Sequence, residues 1–167
     1  INLKFCLIMG LLGIFTKNKP IDCYKKVNKL INKMYYIKKT LILKADSIND
    51  SDRENIRSQV NDAINIYNKI ISMDFSSTYF MMKNDIIEGS SVVDYQLKRM
   101  SISELLRKVC KEFEVIKRIV KGAPVVMSEV NINSIPKDYF YDEHKLGVYH
   151  TAFINDPRYE LPPMFIV

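Results

Sequence analysis

The 167-residue sequence predicts a mostly α fold: an antiparallel helical bundle of three long helices and one or two short ones, closed by an irregular C-terminal segment with room for two short strands. Three observations predict it. Apolar residues recur at three- and four-residue steps over residues 24–48, 56–71 and 102–120, the spacing that lines one face of an α-helix. Helix-start signals precede the second and third of these runs. After Pro124 the composition turns to prolines and aromatics.

One domain is expected at this length, with 47% hydrophobic and 26% charged residues. It divides into an apolar N-terminal segment (1–19), a helical bundle (20–122) and an irregular aromatic and proline-rich tail (123–167). Cys6, Cys23 and Cys110 form no CxxC pair and are odd in number, so neither a disulfide framework nor a zinc site is suggested. A reducing, cytoplasmic setting is the expectation.

Residues 5–15, FCLIMGLLGIF, are apolar over eleven positions, against the roughly twenty needed to cross a bilayer. A secretory signal would want a small-x-small cleavage site, which residues 16–20 lack. If Met9 is the start, Gly10 is placed for myristoylation, but Ile14 stands where that signal wants Ser or Thr. The sequence does not say whether residues 1–8 belong to the native protein. Two uses remain for the segment: a short helix on the core, or an apolar wedge in a membrane interface beside the lysines that follow.

The first long helix is expected after Pro20. Tyr24, Val27, Leu30, Ile31, Met34, Leu41, Ile42, Ala45 and Ile48 fall within one arc at about 100° per residue, and Lys25, Lys26, Lys29, Lys33 and Lys44 lie opposite. Lys38 projects into the apolar arc, where its stem is expected to lie along the surface with the ammonium in water. Asn49-Asp50 breaks the pattern, and Ser51 with Glu54 reads as a capping box opening the second helix. Ile56, Val60, Ala63, Tyr67 and Ile70 then form its stripe, and the short connection predicts a hairpin.

Residues 74–100 read as two short helices, TYFMMKNDIIE and VVDYQLKRM, with Tyr79, Phe80, Val92 and Val93 favouring strands as the alternative. The third long helix carries every expected signal. Ser101 with Glu104 makes a capping box, and Ile102, Leu105, Val109, Phe113, Ile116 and Val120 keep the period. Lys117, Arg118 and Lys121 suit the negative end of the helix dipole, and Gly122 and Pro124 stop it. Beyond it, Val125–Val130 and Gly147–Ile154 are candidate short strands.

Charge is uneven. Residues 17–44 hold nine Lys and one acid, Asp22, a local charge of +8 in a chain whose net charge is +6. Lys25, Lys26, Lys29, Lys33 and Lys44 are thus candidate anion- or nucleic-acid-binding residues, with Tyr24, Tyr35 and Tyr36 among them as stacking groups. An anionic membrane surface or an acidic protein would serve the same charge. The bland alternative is a solvated or internally matched face, because residues 123–167 carry six acids against three bases and could lie across the lysines.

The only cluster with a chemical look is Asp142-Glu143-His144, with His150 and Asp156 beyond it. His144 and His150 match neither the i, i+4 spacing of a helical metal pair nor finger-type spacing, as expected of incidental histidines in a surface loop. No GxSxG, P-loop or HExxH pattern occurs. No catalytic residue, metal ligand, cofactor or small-molecule substrate is assigned.

Candidate partner-binding residues are Tyr79, Met81 and Met82, an adaptable apolar patch, and Met164 and Phe165 in the apolar tail, which either packs back on the bundle or docks on a neighbour. The leading functional expectation is a non-catalytic helical interaction or assembly protein that contacts a protein partner, or another copy of itself, through bundle surface and tail. Nucleic-acid binding through the Lys face comes second. A small enzyme or metal protein centred on His144 and His150 comes third.

Overall fold

A computed structural model describes the backbone of residues 20–75, 78–86, 95–130, 139–140, 148–150 and 160–167, and the side chains of 21–75, 78–79, 100–130 and 160–167. Among these residues helix dominates, with three long helices and a small sheet. Helix α1 spans Pro20–Leu43, with proline in the first turn, where its missing N–H costs nothing. Cys23, Val27, Leu30, Ile31, Met34, Ile37 and Leu41 are buried along one face. The helix stops short of the expected Ile48: a turn bonded from the Ser47 N–H to the Lys44 carbonyl follows it, and Ala45 and Ile48 are half-buried there.

Helix α2 spans Asp50–Met73. Its capping box is Asn49 with Asp52, not Ser51 with Glu54. The Asp52 N–H donates to Asn49 Oδ1 at 2.8 Å, and the Asn49 N–H donates to Asp52 Oδ2 at 3.2 Å. Asn49 is at least as good a cap as serine, and starting there puts Asp50 and Asp52 into the first turn, where the helix dipole favours acids. Ile56, Val60, Ala63, Ile64, Tyr67 and Ile70 are buried, and Asp74 ends the helix in the left-handed region at φ 55°.

The two short helices expected in residues 74–100 are strands instead. Strand β1 (Thr78–Ile86) pairs antiparallel with β2 (Tyr95–Ser101), with Tyr79 opposite Ser101 and Met82 opposite Lys98, and an irregularity between Lys83 and Ile86. The reason is visible in Tyr79-Phe80-Met81-Met82: the apolar residues are contiguous rather than three or four apart, which suits a strand flanked on both sides and gives a helix no single buried face.

Ser101 ends β2 and caps helix α3 (Ile102–Val120) directly, with the Glu104 N–H donating to Ser101 Oγ at 3.2 Å and the Ser101 N–H to Glu104 Oε2 at 3.2 Å. Ile102, Leu105, Leu106, Val109, Phe113, Ile116, Ile119 and Val120 are buried. Gly122 terminates the helix at φ +117°, a conformation that L side chains rarely adopt.

Strands β3 (Tyr139–Phe140) and β4 (Val148–His150) both pair antiparallel with β1, β4 beside Thr78–Phe80 and β3 beside Met81–Met82. Strand β4 falls within the expected Gly147–Ile154. The Val125–Val130 stretch is a turn, with the Glu129 N–H bonded to the Val126 carbonyl. Helix α2 packs against both α1 and α3, and one core joins their buried faces to Met100, Val130 and Phe165.

Lys38 departs from the sequence expectation. It is 1% exposed, with its ammonium 3.0 Å from Glu112 of α3 rather than in water. A partner carboxylate makes that burial tolerable.

Candidate interaction site

Residues 160–167, ELPPMFIV, lie outside helix and sheet: Pro162 and Pro163 supply no N–H, and each disfavours helical backbone at the residue before it. Such a segment leaves its backbone groups without internal partners, so they find them elsewhere. They find them on α2 and α3. Asn68 faces the strand with its side-chain amide, Nδ2 donating to the Phe165 carbonyl at 3.0 Å while Oδ1 accepts from the Phe165 N–H at 2.8 Å. The Tyr67 hydroxyl donates to the Pro163 carbonyl at 3.2 Å, Arg107 to the Glu160 carbonyl at 3.1 Å, and Lys117 to the Ile166 carbonyl at 3.4 Å.

A stack of rings fixes the depth of the strand. Phe165 meets Phe113 edge-on at 5.3 Å between centroids, and Phe113 meets Tyr67 edge-on at 5.3 Å, both within the favoured range for aromatic pairs. The Lys117 ammonium lies 5.0 Å from the centre of the Phe165 ring, a cation–π contact. Burial, with Cys110 alongside, pushes the Tyr67 phenol well above its ordinary pKa, so it remains a donor through the neutral range. Phe165 is therefore buried, while its neighbours Met164 (53% exposed), Ile166 (86%) and Val167 (69%) face solvent.

The other expected partner-binding residues lie in β1. Tyr79 is half-buried; Met81 and Met82 are paired through the backbone with β2 on one edge and β3 on the other, and their side chains lie outside the described residues. Both edges of that strand segment are thus occupied within the chain.

The candidate lysines of α1 and of the turn after it sort into two groups. Lys33 is 3.1 Å from Asp62 and Lys44 is 2.7 Å from Asp52, so the acids that meet them come from α2, and the described tail lies on α2 and α3 instead. Lys25 and Lys29 are exposed and Lys26 is half-buried. The outward stripe of α1 runs Asp22, Lys25, Lys29, Asn32, Tyr36, Lys39 and Leu43, all exposed at alternating steps of three and four, with Tyr36 54% exposed between lysines. Tyr36 and Lys39 complete this surface.

Arg53, in the first turn of α2, donates to the carbonyls of Ile119 and Ala123 and so ties the end of α3 to the start of α2. His144, Asp142, Glu143, Asp156 and residues 1–19 lie outside the described residues, and His150 is described only as backbone, opposite Thr78. Among the described residues no group of three or more His, Cys, Asp or Glu could hold a metal, and no helix is long and apolar enough to cross a membrane.

Sequence patterning missed Asn68. It sits one residue past Tyr67 on the flank of the α2 stripe, and nothing local announces a partner 97 positions away. Comparison of the chain with family models, with curated proteins and with solved structures gives no match.

Proposed function

We propose that the chain is a non-catalytic helical assembly protein: an antiparallel three-helix bundle that holds its C-terminal strand extended and presents Met164, Ile166 and Val167 to a protein partner, another copy of itself included. The ion pairs Lys44–Asp52 and Lys33–Asp62 support the antiparallel hairpin, since rising numbers on α1 meet falling numbers on α2. Arg53 bonded to the Ile119 carbonyl and Tyr67 stacked on Phe113 support the same relation between α2 and α3.

The observation that carries the reading is the contrast within the tail. Asn68 and Phe165 order a segment in which Leu161 is half-buried against the core while Met164, Ile166 and Val167 stay wet. Ordering backbone costs about 1–2 kcal/mol per residue, and burial of large apolar side chains is the usual offset. In the single chain only Phe165 supplies it among Met164–Val167; a protein surface laid over the strand would supply the rest. Sedimentation velocity of the wild type against Ile166→Asp/Val167→Asp tests this. The wild type is expected to sediment as an oligomer, or with its protein partner, and the variant as a folded monomer; identical behaviour of the two rejects the reading.

A second reading rests on the outward stripe of α1. Lys25, Lys29 and Lys39 with an exposed Tyr36 suit single-stranded nucleic acid, the cations tracking phosphates and the ring stacking on a base. Binding that weakens with salt and is lost on Lys25→Glu/Lys29→Glu/Lys39→Glu would establish it, and binding unchanged by those substitutions would discard it.

A further inference from the structure

We propose that the groove between α2 and α3 is a transferable strand-binding site, and that it accepts the Glu160–Val167 segment of a second copy of the chain as well as its own. The inference rests on the assembly reading in naming a second copy as the partner, but its evidence is the groove. Among the described residues, the groups that bond or stack on the segment belong to α2 (Tyr67, Asn68) or α3 (Arg107, Phe113, Lys117), so these holding groups lie outside the segment they hold.

Four of those five side chains bond to the strand's main chain, which they read through carbonyl oxygens and one N–H. Main-chain hydrogen bonds supply affinity to any extended segment, and pockets for individual side chains supply the choice among them. Here the described pocket is the one for Phe165, lined by Phe113 and covered by the Lys117 ammonium. Prolines before the anchor favour the bound shape by keeping the free segment extended. The same residues on a neighbouring copy are chemically identical, so only local concentration decides whether the groove is filled from within or from outside.

The test uses the full chain carrying Phe165→Ala, which empties the pocket, and a labelled peptide of the sequence ELPPMFIV. The variant is expected to bind the peptide at least about tenfold more tightly than the wild-type chain, whose groove is filled by its own tail. Adding Asn68→Ala to the receptor, or Phe165→Ala to the peptide, should cost about tenfold, whereas Met164→Ala in the peptide should cost little. If Phe165→Ala leaves the chain unfolded, Phe165→Leu, whose smaller side chain loses the edge-on ring contact with Phe113, serves as a receptor with a less tightly held tail and is still expected to bind the peptide more tightly than the wild type.

No binding by a folded variant, or binding indifferent to Asn68→Ala, overturns the proposal. Peptide binding by a chain that sediments as a monomer at every concentration keeps the groove and removes the assembly reading. Self-association without peptide binding does the reverse.

Discussion

The ammonium of Lys38 sits 3.0 Å from the Glu112 carboxylate, joining α1 to α3 across a space where Lys38 is almost wholly sealed from solvent and Glu112 nearly so. Loss of hydration drives the Lys38 pKa down, and the hydrogen bond and charge of Glu112 oppose but do not cancel that shift. Removing one partner strands the other. Glu112→Ala is expected to cost about 3–5 kcal/mol in urea unfolding, whereas Lys38→Met/Glu112→Leu, which replaces both charges with apolar groups, should lie within about 2 kcal/mol of the wild type or above it. A Glu112→Ala chain as stable as the wild type would show that the pair is not buried as described.

Burial also pushes the Cys23 thiol up to about 12 from its ordinary 9.0, with the Lys26 charge pulling weakly the other way. The folded chain therefore holds this proton where the unfolded chain has released it. The stability due to Cys23 is fully present below pH 9 and is lost as pH rises towards 12, by at most about 1.4 kcal/mol per pH unit. The difference in unfolding free energy between the wild type and Cys23→Ala should shrink across that window. Native Cys23 should also resist thiol reagents, since the thiolate is the reactive form; rapid alkylation near neutral pH would contradict its placement.

The caps make a paired prediction. Asn49→Ala and Ser101→Ala should each cost about 1 kcal/mol, because each removes an acceptor for a free helix-end N–H. Ser51→Ala should be nearly silent, since Ser51 lies inside α2 and is exposed. Thermal unfolding of the three variants distinguishes the Asn49 box from the Ser51 box.

Those caps also show what was legible in the sequence. Helix α3 could be read in full, because its start, period and stop are all local: Ser101 with Glu104, the stripe from Ile102 to Val120, and Gly122. The buried faces of α1 and α2 could be read for the same reason. The boundary between them was misplaced, since Asn49-x-x-Asp52 and Ser51-x-x-Glu54 are overlapping capping patterns and only the choice of turn after Lys44 selects one. Residues 74–100 allow both short helices and strands by sequence, because the pairing of β1 with β2 is decided between segments rather than within either. Lys38 stood out as a cation in an apolar arc, but its partner lies on another helix. Asn68 and Phe165 are further apart still in sequence, so their pairing is a property of the folded chain alone.

On α1, Tyr36→Ala should leave stability within about 0.5 kcal/mol of the wild type, because the ring is more than half exposed. If the outward stripe stacks on bases, the same change should weaken single-stranded oligonucleotide binding by about 1–3 kcal/mol in a fluorescence titration at fixed salt. A large loss of stability would mean that the ring packs on the protein.

The most direct measurement for the account as a whole is sedimentation velocity over a wide concentration range, run on the wild type, on Ile166→Asp/Val167→Asp and on Asn68→Ala. The account predicts an oligomer or partner complex for the wild type, and its loss in both variants with helical content unchanged. A wild-type chain that remains monomeric and unaccompanied throughout, or an assembly untouched by either variant, would contradict it.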